Sequence, residues 1–579
     1  MADPTNSQIA AALDELGDLY ELDGAIIHRI VAYRNAAKAV RDAGESVTAL
    51  ARLGRATELP GIGATIQEKV LALADTGEIP ALVKLRAKFP PGLVAMTHLP
   101  GLGPKRARRL YDELGIDSLD ALREAAEGQR IRNLKGFGAK AEEALIAALA
   151  AFEADGPARR TVLSRALDVG ERLAAALRAH PASERVELAG SARRMAESVK
   201  DLDIIATATD PAALARAATE LPVVESAASP GENAVRLLTH SGIKVDLRIV
   251  EPDQFGNLLQ HLTGSKEHNM ALRDYAVRRG LHISEYGVLD DASGETHRCA
   301  TEADVYGLLG MQYIEPELRE DRGELEAALK SALPELVTVE DLRGDLHCHT
   351  TASDGTASIE QMATAARDFG YEYLVITDHS ASMGFGADVT DEQLRAQIER
   401  VRATHLDGLE LLIGSEVNIL PDGSLDYPDE LLAELDWVIA SVHTSFRMPR
   451  AEMTARIVRA IEHPWVDCIG HLSGRKIERR APYEFDFEAV LAAAVRTGTM
   501  FEINASPDRR DLNEIHARAA AAAGVPIVIN CDAHRVGGFE VARYGVATAR
   551  RAWLSPEQVA NCRPWAELAP LRKRARAAG

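Results

Sequence analysis

The hydrophobic and polar positions of this chain follow three different patterns, one after another along the sequence. Through residues 1–155, apolar residues recur at helical spacing, which predicts short amphipathic helices joined by tight turns. From Arg159 to Gln260, helical stretches alternate with short runs of strand type, among them Val186–Ala189 and Leu202–Ala206. From Gly344 onward, short apolar runs repeatedly give way to helical stretches. The pattern therefore predicts a helical first part, an α+β middle part and a last part built of β-then-α units.

Seven apolar runs in the last part end at residues of the types that bind metals. These runs are Asp345–His349, Tyr373–His379, Leu411–Glu416, Trp437–His443, Val466–His471, Met500–Asn504 and Val525–His534. Seven β-then-α units predict a parallel barrel, in which the carboxyl ends of the strands meet around one mouth. The residues that end the runs are therefore expected around one cavity.

Strand alternation sorts the candidate ligands at this mouth from their neighbours. It places His347 and His349 on one face and turns Cys348 away. Asp532 and His534 share a face for the same reason. The candidate ligands are His347, His349, Asp354, His379, Glu416, His443, His471, Asp532 and His534. A lone histidine at a strand end is usually structural, but nine such residues together favour a metal centre, and imidazole with carboxylate favours Zn²⁺, Mn²⁺ or Fe²⁺ over Mg²⁺.

A second set of candidate residues lies in the middle part, where a turn follows the strand-like run at 186–189. Free N–H groups at such a turn can hold a polyphosphate, and the residues expected to do so are Gly190, Ser191 and Arg194. Asp201 and Asp203 stand two apart at the start of an apolar run, so on a strand both carboxylates point to one face. Asp246 lies in another strand-like alternation. The three carboxylates together predict a site for two Mg²⁺ ions, although an Asp-x-Asp alone is typical of a solvated strand end.

A pentapeptide with two glycines occurs three times in the helical part, at 59–63, 99–103 and 134–138. Gly-x-Gly lets the chain turn tightly and presents N–H groups at the start of the next helix, where a DNA phosphate can bind without any base being read. A single copy would be an ordinary helix connection, but three copies favour DNA binding. The predicted contacts at these turns are Gly61, Gly63, Gly101, Gly103, Lys105, Gly136 and Gly138.

Composition and charge change this interpretation little. The net charge of −21 argues against a nucleic-acid partner, but carboxylates that bind metal ions are counted in that sum, and positive charge still clusters locally at Lys105–Arg109. The chain contains no apolar run of 18 residues and no signal-peptide pattern, so we expect no membrane partner and a cytoplasmic, nucleoid-associated location. Five scattered cysteines without a Cys-x-x-Cys indicate neither a disulfide framework nor a thiolate zinc finger.

The segment from Gly190 to Ile205 closely resembles the palm motif of the family X DNA polymerases, the group that contains DNA polymerase beta. In that motif Gly-Ser-x-Arg-Arg precedes Asp-x-Asp by the spacing found here. Residues 262–269 resemble the family's nucleotide-contacting loop, and Tyr313–Arg319 resembles the end of its thumb. The resemblance implies that Asp201, Asp203 and Asp246 are catalytic, and that further nucleotide contacts are Gly264, Ser265, Asn269 and Arg273.

The resemblance extends to the amino-terminal domain that holds the 5'-phosphate of a gap. His28, Arg29 and Tyr33 carry over to that role, and Lys69 occupies the position of the Schiff-base lysine in relatives with deoxyribose-phosphate lyase activity. Thr65 stands where those relatives have a phosphate-binding lysine, which weighs against the lyase activity. At 261–262, His-Leu replaces the family's usual Tyr-Phe beside the sugar, so exclusion of ribonucleotides is in doubt.

The last part resembles the polymerase and histidinol phosphatase (PHP) domain, a metal-dependent phosphoesterase, over about residues 344–540. By that resemblance one ion would be held by His347, His349, Glu416 and Asp532. Glu416 would bridge to a second ion bound by His443 and His471, and a third would be held by Asp354, His379 and His534. Arg475 is a weaker candidate for contact with phosphate, and Glu502 for support of the ligands.

A PHP domain behind a family X polymerase is the arrangement of the bacterial and archaeal members of that family. The implied fold is multidomain α/β, with helical helix-hairpin-helix N-terminal and fingers domains, an α+β nucleotidyltransferase palm and thumb, and a C-terminal (β/α)7 PHP barrel. The expected parts are an N-terminal lyase-like helix-hairpin-helix domain (1–95), fingers (96–155), palm (156–254), thumb (255–319), a helical linker (320–343) and the PHP domain (344–579).

The expected function is gap-filling DNA repair, of the base excision or end-joining type, by a DNA polymerase with its own 3'-5' exonuclease or phosphoesterase. Its substrates would be gapped or primer-template DNA and dNTPs, with Mg²⁺ in the palm and up to three Mn²⁺ or Zn²⁺ ions in the PHP domain. One alternative is a DNA-processing nuclease that keeps the polymerase fold mainly to bind DNA. Another is a non-catalytic DNA-end scaffold, which leaves the ligand sets unexplained. The oligomeric state is open.

Overall fold

The computed structural model describes residues 3–97, 99, 102–154, 160–382 and 388–573. This part of the chain forms two compact units. The first comprises residues 1–161, 165–189 and 198–255, and the second comprises residues 162–164, 190–197 and 256–579. The division cuts through the predicted palm, because the turn at 190–197 belongs to the second unit.

The first part of the chain is helical, as its pattern predicts. Within the described residues the helices are α1 Asn6–Leu22, α2 Ile27–Asp42, α3 Val47–Arg52, α4 Ala64–Thr76, α5 Pro80–Arg86, α6 Pro91–Thr97, α7 Pro104–Leu114, α8 Leu119–Glu127 and α9 Ala139–Ala154. Helix α1 begins at a capping box, in which the Thr5 side chain accepts from the N–H of Gln8 and the Gln8 side chain accepts from the N–H of Thr5. Its apolar stripe, including Ile9, Leu13 and Leu16, is fully buried in a core shared by these helices.

The described residues of the three glycine-containing turns share the same local contacts. The residue between the two glycines is buried (Ile62, Leu102 and Phe137), and its N–H donates to the carbonyl of the leucine three residues earlier. Gly61 and Gly136 have φ of 88° and 89°, a left-handed conformation that residues with a Cβ rarely adopt. Helices α4, α7 and α9 each begin directly after the second glycine. The prediction of helix-hairpin-helix turns is confirmed.

The middle part is α+β. Its elements are β1 Thr161–Val162, α10 Leu163–Arg178, β2 Ser183–Leu188, α11 Gly190–Arg193, β3 Ser198–Val199, β4 Asp201–Ala208, α12 Pro211–Thr219, β5 Val224–Ala227, β6 Ala234–Thr239 and β7 Lys244–Ile249. In the described part of the first unit, a five-stranded sheet has the order β2-β4-β7-β6-β5, with β4 and β7 parallel and the other neighbours antiparallel. Helix α12 buries Leu214, Ala215 and Ala218 completely.

The predicted thumb and linker follow in the second unit. Their elements are α13 Phe255–Thr263, α14 Lys266–Val277, β8 Leu281–Ser284, β9 Gly287–Asp290, β10 Thr296–His297, α15 Glu302–Leu308 and α16 Glu324–Leu329. The helix predicted in the linker forms over Glu324–Leu329, but it does not extend through 320–343, because Pro334 cannot continue it. Leu336, Val337 and Leu342 are buried, so this segment packs instead into the cores of the second unit.

The last part is a barrel of alternating strands and helices. Its elements are β11 Gly344–Cys348, α17 Ile359–Phe369, β12 Tyr373–Ile376, α18 Asp391–Ala403, β13 Glu410–Asn418, α19 Asp429–Leu432, β14 Trp437–Ser441, α20 Arg450–Glu462, β15 Cys468–Ile469, α21 Phe487–Thr497, β16 Met500–Asn504, α22 Glu514–Ala522, β17 Ile527–Asn530, α23 Ala542–Arg551 and α24 Trp565–Leu568. Among the described residues, β11–β17 form a parallel seven-stranded sheet in chain order.

The two edges of this sheet approach each other, so the barrel is nearly closed. The N–H of His349 donates to the carbonyl of Ala533 over 2.8 Å, and Cys348 forms a parallel bridge with Ala533. Successive strand residues alternate between an inner apolar cluster, which includes Val375 and Ile439, and the core beneath the helices. The predicted (β/α)7 barrel is confirmed. Over the described ranges, none of the helices combines the length and apolar character that a membrane span requires.

Candidate active sites in the barrel and the palm

The predicted ligands of the barrel meet at the carboxyl ends of its strands. Within the described residues, three groups have potential ligand atoms that all lie within 4.8 Å of one another. They are His349, Asp354, His379 and His534; His347, His349 and Glu416; and His379, Glu416 and His443. Because His349, His379 and Glu416 each belong to two groups, the ligand set is one continuous cluster rather than separate sites.

Glu416, near the end of β13, lies at the centre of this cluster and is 1% exposed. Its Oε1 lies 2.8 Å from Nε2 of His471 and 3.2 Å from Nε2 of His443. Its Oε2 lies 3.0 Å from Nδ1 of His379 and 3.4 Å from Nε2 of His347. This geometry is that of a bridging carboxylate, as the family resemblance implies.

Two aspartates complete the cluster. Asp532 Oδ1 lies 3.1 Å from Nε2 of His349. Asp354 Oδ2 lies 3.2 Å from Nε2 of His534 and 3.5 Å from Nε2 of His379. This grouping differs from that implied by the resemblance, because His379 reaches both Asp354 and Glu416. His349 likewise belongs both to the group of Asp354 and to that of Glu416.

Burial and opposite charges strongly perturb the titration of these residues. Burial acts against ionisation of Glu416, but the imidazoles of His443, His347 and His379 hold its pKa well below the ordinary value. Burial likewise disfavours protonated His379, yet Glu416 and Asp354 raise its pKa to about 10. For His471, burial and then the charge of Arg509 lower the pKa to about 4. The cluster thus pairs buried carboxylates with imidazolium groups, whose place a divalent cation can take.

The ring nitrogens of the histidines fit such a cation. Among the described residues, several buried ring nitrogens make no hydrogen bond of suitable angle even where a carboxylate oxygen lies near them. They include Nε2 of His347, both ring nitrogens of His349, and Nδ1 of His379. Buried polar atoms are normally hydrogen-bonded, so an orphaned group of them around carboxylates is typical of a metal-binding cage. The donor set of imidazole and carboxylate therefore fits the divalent transition metals that the sequence predicts.

The outer ring nitrogens are held by protein oxygens, which orient the histidines. Nδ1 of His347 lies 2.7 Å from Glu502, and Nδ1 of His443 lies 2.6 Å from Oδ1 of Asn418. Asn418 in turn donates its amide to Asp426 over 2.9 Å, so its oxygen faces the imidazole. An acceptor at Nδ1 places the proton there and leaves Nε2 free to bind a metal.

Sequence reasoning missed Asn418 and Asp426. Asn418 stands two residues after Glu416 on the same strand, so alternation already placed both on one face. No local pattern indicated Asp426, which lies in the loop after β13. Its carboxylate accepts a hydrogen bond from the backbone N–H of Asn418.

Arg475 does not reach the cluster in the way that the resemblance suggests. Its guanidinium binds Glu197, with one contact of 3.1 Å, and donates to the carbonyl of Arg509 over 2.9 Å. Instead, Arg509 lies beside the cluster, with Nε 3.7 Å from Oδ2 of Asp532. One of its terminal nitrogens is buried and has no hydrogen-bond partner among the described residues. The cation next to the ligands is therefore Arg509 rather than Arg475.

The three predicted palm aspartates share one face of the first unit's sheet. Leu202 and Ile204 are fully buried, so Asp201 and Asp203, which alternate with them, point to the other face. Asp203 is directly opposite Asp246 in the register of the parallel strands β4 and β7. Asp246 is paired with Arg236 at 3.1 Å, and the two side chains are 44% and 82% exposed.

The predicted nucleotide contacts all belong to the second unit, and many are engaged within it. Arg194 contacts Glu320 at 3.0 Å and donates to the carbonyl of Thr263 over 2.8 Å. Ser265 caps α14, Asn269 donates to the carbonyls of His261 and Gly264, and Arg273 lies 3.1 Å from Nδ1 of His261. Gly190 and Ser191 form the start of α11. Arg194 is thus part of a protein network, and a phosphate would have to compete with Glu320 for it.

In the helical part, His28 and Arg29 are exposed on α2, whereas Tyr33 is 6% exposed and stacks on Tyr20. Its ring belongs to the core, which accounts for it without a DNA contact. Lys69 Nζ lies 6.0 Å from the centroid of the Tyr33 ring. The predicted turn residues that are exposed are Gly61, Gly63, Gly103, Lys105, Gly136 and Gly138, and Gly101 lies outside the described residues.

Comparison with known protein families matches four segments. Residues 4–79 match a helix-hairpin-helix domain, and residues 94–151 match a SAM-like helix-hairpin-helix tandem. Residues 258–320 match the DNA polymerase beta thumb, and residues 345–506 match the PHP domain.

Individual relatives agree with these matches. A Bacillus subtilis (strain 168) protein named DNA polymerase/3'-5' exonuclease PolX is 37% identical over 570 residues, which is 98% of this chain and 99% of the relative. A probable phosphatase of Thermoanaerobacter sp. (strain X514) is 36% identical over 213 residues, 34% of this chain and 82% of the relative. A probable phosphatase of Syntrophotalea carbinolica is 27% identical over 227 residues, 38% of this chain and 90% of the relative. The chain belongs to the bacterial family X DNA polymerases that carry a C-terminal PHP domain.

Proposed function

We propose that this chain is a DNA polymerase that extends DNA 3' ends in the palm and a 3'-5' exonuclease that removes nucleotides in the barrel. The observation that carries the proposal is the presence of two separate carboxylate sites in a chain that aligns end to end with a relative named for both activities. Metal dependence follows from both ligand sets. The proposed ions are Mg²⁺ in the palm and Mn²⁺ or Zn²⁺ in the barrel.

In the palm, Asp201 and Asp203 would hold the ions that bind the dNTP, and Asp246 would bind the ion beside the primer end. Such ions lower the pKa of the attacking hydroxyl and stabilise the charge that develops on the departing pyrophosphate. The alternation of β4 and its register with β7 support this assignment, since they direct all three carboxylates to one face. Arg236 is largely exposed, so it can leave Asp246 when a cation replaces it.

In the barrel, Glu416 would bridge neighbouring ions, and the Nε2 atoms of His347, His349 and His443 would be ligands on either side. Ions held there would lower the pKa of a water molecule and stabilise the leaving 3'-oxygen. The chain's own contribution is to hold each imidazole in the tautomer that faces the cluster, as Asn418 does for His443. Arg509 would contact the scissile phosphate, because it brings an incompletely paired guanidinium beside Asp532.

DNA would be held largely through its phosphates by the helix-hairpin-helix turns. The exposed starts of α4, α7 and α9 present backbone N–H groups, and Lys105 adds a cation at the second turn. Contacts of this kind do not read sequence, which suits an enzyme that acts on gaps wherever they arise. We propose gap filling in DNA repair as the use of this combination.

The test uses gapped DNA with a 5'-phosphate, dNTPs, and either Mg²⁺ or Mn²⁺. Asp203→Ala should abolish extension and leave degradation of the 3' end intact, whereas His349→Ala should do the opposite. Asp168→Ala and His405→Ala, at exposed positions, are the matched controls and should change neither activity. Loss of both activities in a folded single variant would contradict two separate sites. Degradation without extension by the wild type would favour a nuclease that only binds DNA through its polymerase fold.

A further inference from the structure

Three arginines of the barrel hold successive points of the turn that follows α11. Arg551 donates to the carbonyl of Arg194 over 2.9 Å. Arg510 donates to the carbonyl of Met195 over 2.9 Å. The third, Arg475, binds the carboxylate of Glu197, with one contact of 3.1 Å. All of these residues lie within the second unit.

The arginines are themselves held firmly. Arg551, at the end of α23, is 6% exposed and also binds Glu320 at 2.8 Å and Glu514 at 3.1 Å. Arg510 is 1% exposed and donates from Nε to the hydroxyl of Thr548 over 2.9 Å. Hydrogen bonds from a buried guanidinium are stronger than neutral ones, and their loss leaves an unsatisfied carbonyl. The barrel therefore constrains the turn much more than a loose packing contact would.

The backbone of the turn needs such a constraint. Met195 has φ of 55°, a left-handed conformation that a residue with a Cβ adopts only when its surroundings impose it. The contact from Arg510 is made at the carbonyl of this same residue. Within the turn, the N–H of Ala196 donates to the carbonyl of Ser191 over 3.1 Å, which ties the constrained segment to the start of α11.

The turn adjoins residues of the proposed nucleotide site. Gly190 and Ser191 precede it directly, and Asp201 follows Glu197 after three intervening residues. We propose that Arg475, Arg510 and Arg551 are positioning residues of the polymerase reaction: the barrel sets the conformation of the polyphosphate-binding turn and thereby the affinity for the incoming dNTP. The inference rests on the proposed polymerase function. It gives the barrel a second role that is independent of its metal cluster.

The test measures KM for dNTP and kcat in primer extension by the full chain, together with 3'-end degradation and thermal unfolding. Arg551→Gln should raise KM for dNTP by about tenfold, since it removes a charge-assisted hydrogen bond, while degradation stays within about twofold of the wild type. Arg551→Lys keeps the charge and one donor and should recover part of the affinity. Arg456→Gln is the matched control, because Arg456 is equally buried but donates to the barrel's own carbonyls of Ile419 and Thr444.

Substitution of a buried arginine can prevent folding, so a milder pair provides a second test. Glu197 and Arg475 have side chains 28% and 13% exposed. Glu197→Gln and Arg475→Gln should each raise KM for dNTP, and the double variant should raise it no further than the larger single effect, as expected for one shared contact.

Unchanged KM in folded variants, or an equal rise in Arg456→Gln, would overturn the positioning role. Failure of the wild type to extend a primer would instead overturn the proposed function itself. Equilibrium binding of dNTP to the wild type and to Glu197→Gln gives a readout that does not require turnover, and it should show the same loss of affinity.

Discussion

The barrel cluster and the palm face bring carboxylates together in opposite ways. In the barrel, Glu416 and His347 are fully buried, and protein oxygens such as those of Asn418 hold the outer ring nitrogens. In the palm, Asp203 and Asp246 are aligned by strand register, and the partner of Asp246 is a largely exposed arginine. The barrel ligands are thus already enclosed by protein, whereas the palm carboxylates lie on an open face, where the proposed substrate and ions would complete the site.

This difference has an energetic consequence. A buried ionic cluster is stable only while each charge has its partner, because an unpaired buried charge is strongly destabilising. An exposed pair contributes little, since water screens it. Function and folding stability should therefore be coupled in the barrel and nearly independent in the palm, and the following four experiments test that contrast.

The largest effect is expected for Glu416→Ala. It removes the carboxylate that five imidazoles approach, so degradation of the 3' end should fall by at least about 100-fold, and the metal-free chain should lose about 3–5 kcal/mol of unfolding free energy. Exonuclease assays and denaturant unfolding measure the two quantities. Mn²⁺ should raise the unfolding temperature of the wild type but not of the variant. A variant with wild-type stability and no activity would show that the ion pairs of Glu416 do not contribute to folding stability.

In the palm, Asp246→Asn should separate the two quantities. Primer extension should fall by at least about 100-fold because the charge that binds the ion is lost, while the unfolding free energy should change by less than about 0.5 kcal/mol. The reason is the exposure of Asp246 and its partner Arg236. Steady-state extension and thermal unfolding on the same preparation test this. A large loss of stability would show that function and stability are coupled in the palm as well as in the barrel.

Asn418→Ala should weaken the barrel site without destroying it. His443 would lose the oxygen that fixes its tautomer, so the affinity for Mn²⁺ should fall about 10- to 100-fold, with activity partly restored at high Mn²⁺. Calorimetric titration with Mn²⁺ measures the change. Asn6→Ala is the matched control, because Asn6 is equally buried but binds backbone groups of the first unit, at Glu45 and Val47. Failure of high Mn²⁺ to restore activity would contradict an orienting role.

The last prediction concerns pH. The folded pKa of His379 is raised from an ordinary 6.5 to about 10, so its protonated pair with Glu416 and Asp354 stabilises the metal-free chain fully below about pH 6.5. That contribution is lost as the pH rises from 6.5 to 10. Metal binding displaces the same protons, so the affinity for Mn²⁺ should increase over this range. Unfolding temperatures measured with and without Mn²⁺ should therefore diverge as the pH rises. Parallel curves would contradict the displacement of these protons by the metal.

Much of the barrel and its ligand set could be predicted because both depend on local periodicity. Alternation placed His347 and His349 on one face, and the strand-end positions of the other ligands follow from the carboxyl-end rule for parallel barrels. The helix-hairpin-helix turns were predicted equally well, since a tight turn needs glycine at fixed positions. The predicted linker helix forms only over Glu324–Leu329, because the residues after it, including Leu336 and Val337, pack into the cores of the second unit.

By itself, the sequence determined which residues share a face, where most of the described elements form and which chemistry each site can hold, because these properties depend on neighbours two to four positions away. Only the tertiary structure decided that His379 joins two ligand groups, that Arg509 lies beside the cluster in place of Arg475, and that barrel arginines hold the turn after α11. These contacts depend on which of several partners, distant in sequence, lies within reach of a long polar side chain. The partners come within reach only when strands far apart in the sequence assemble into one barrel.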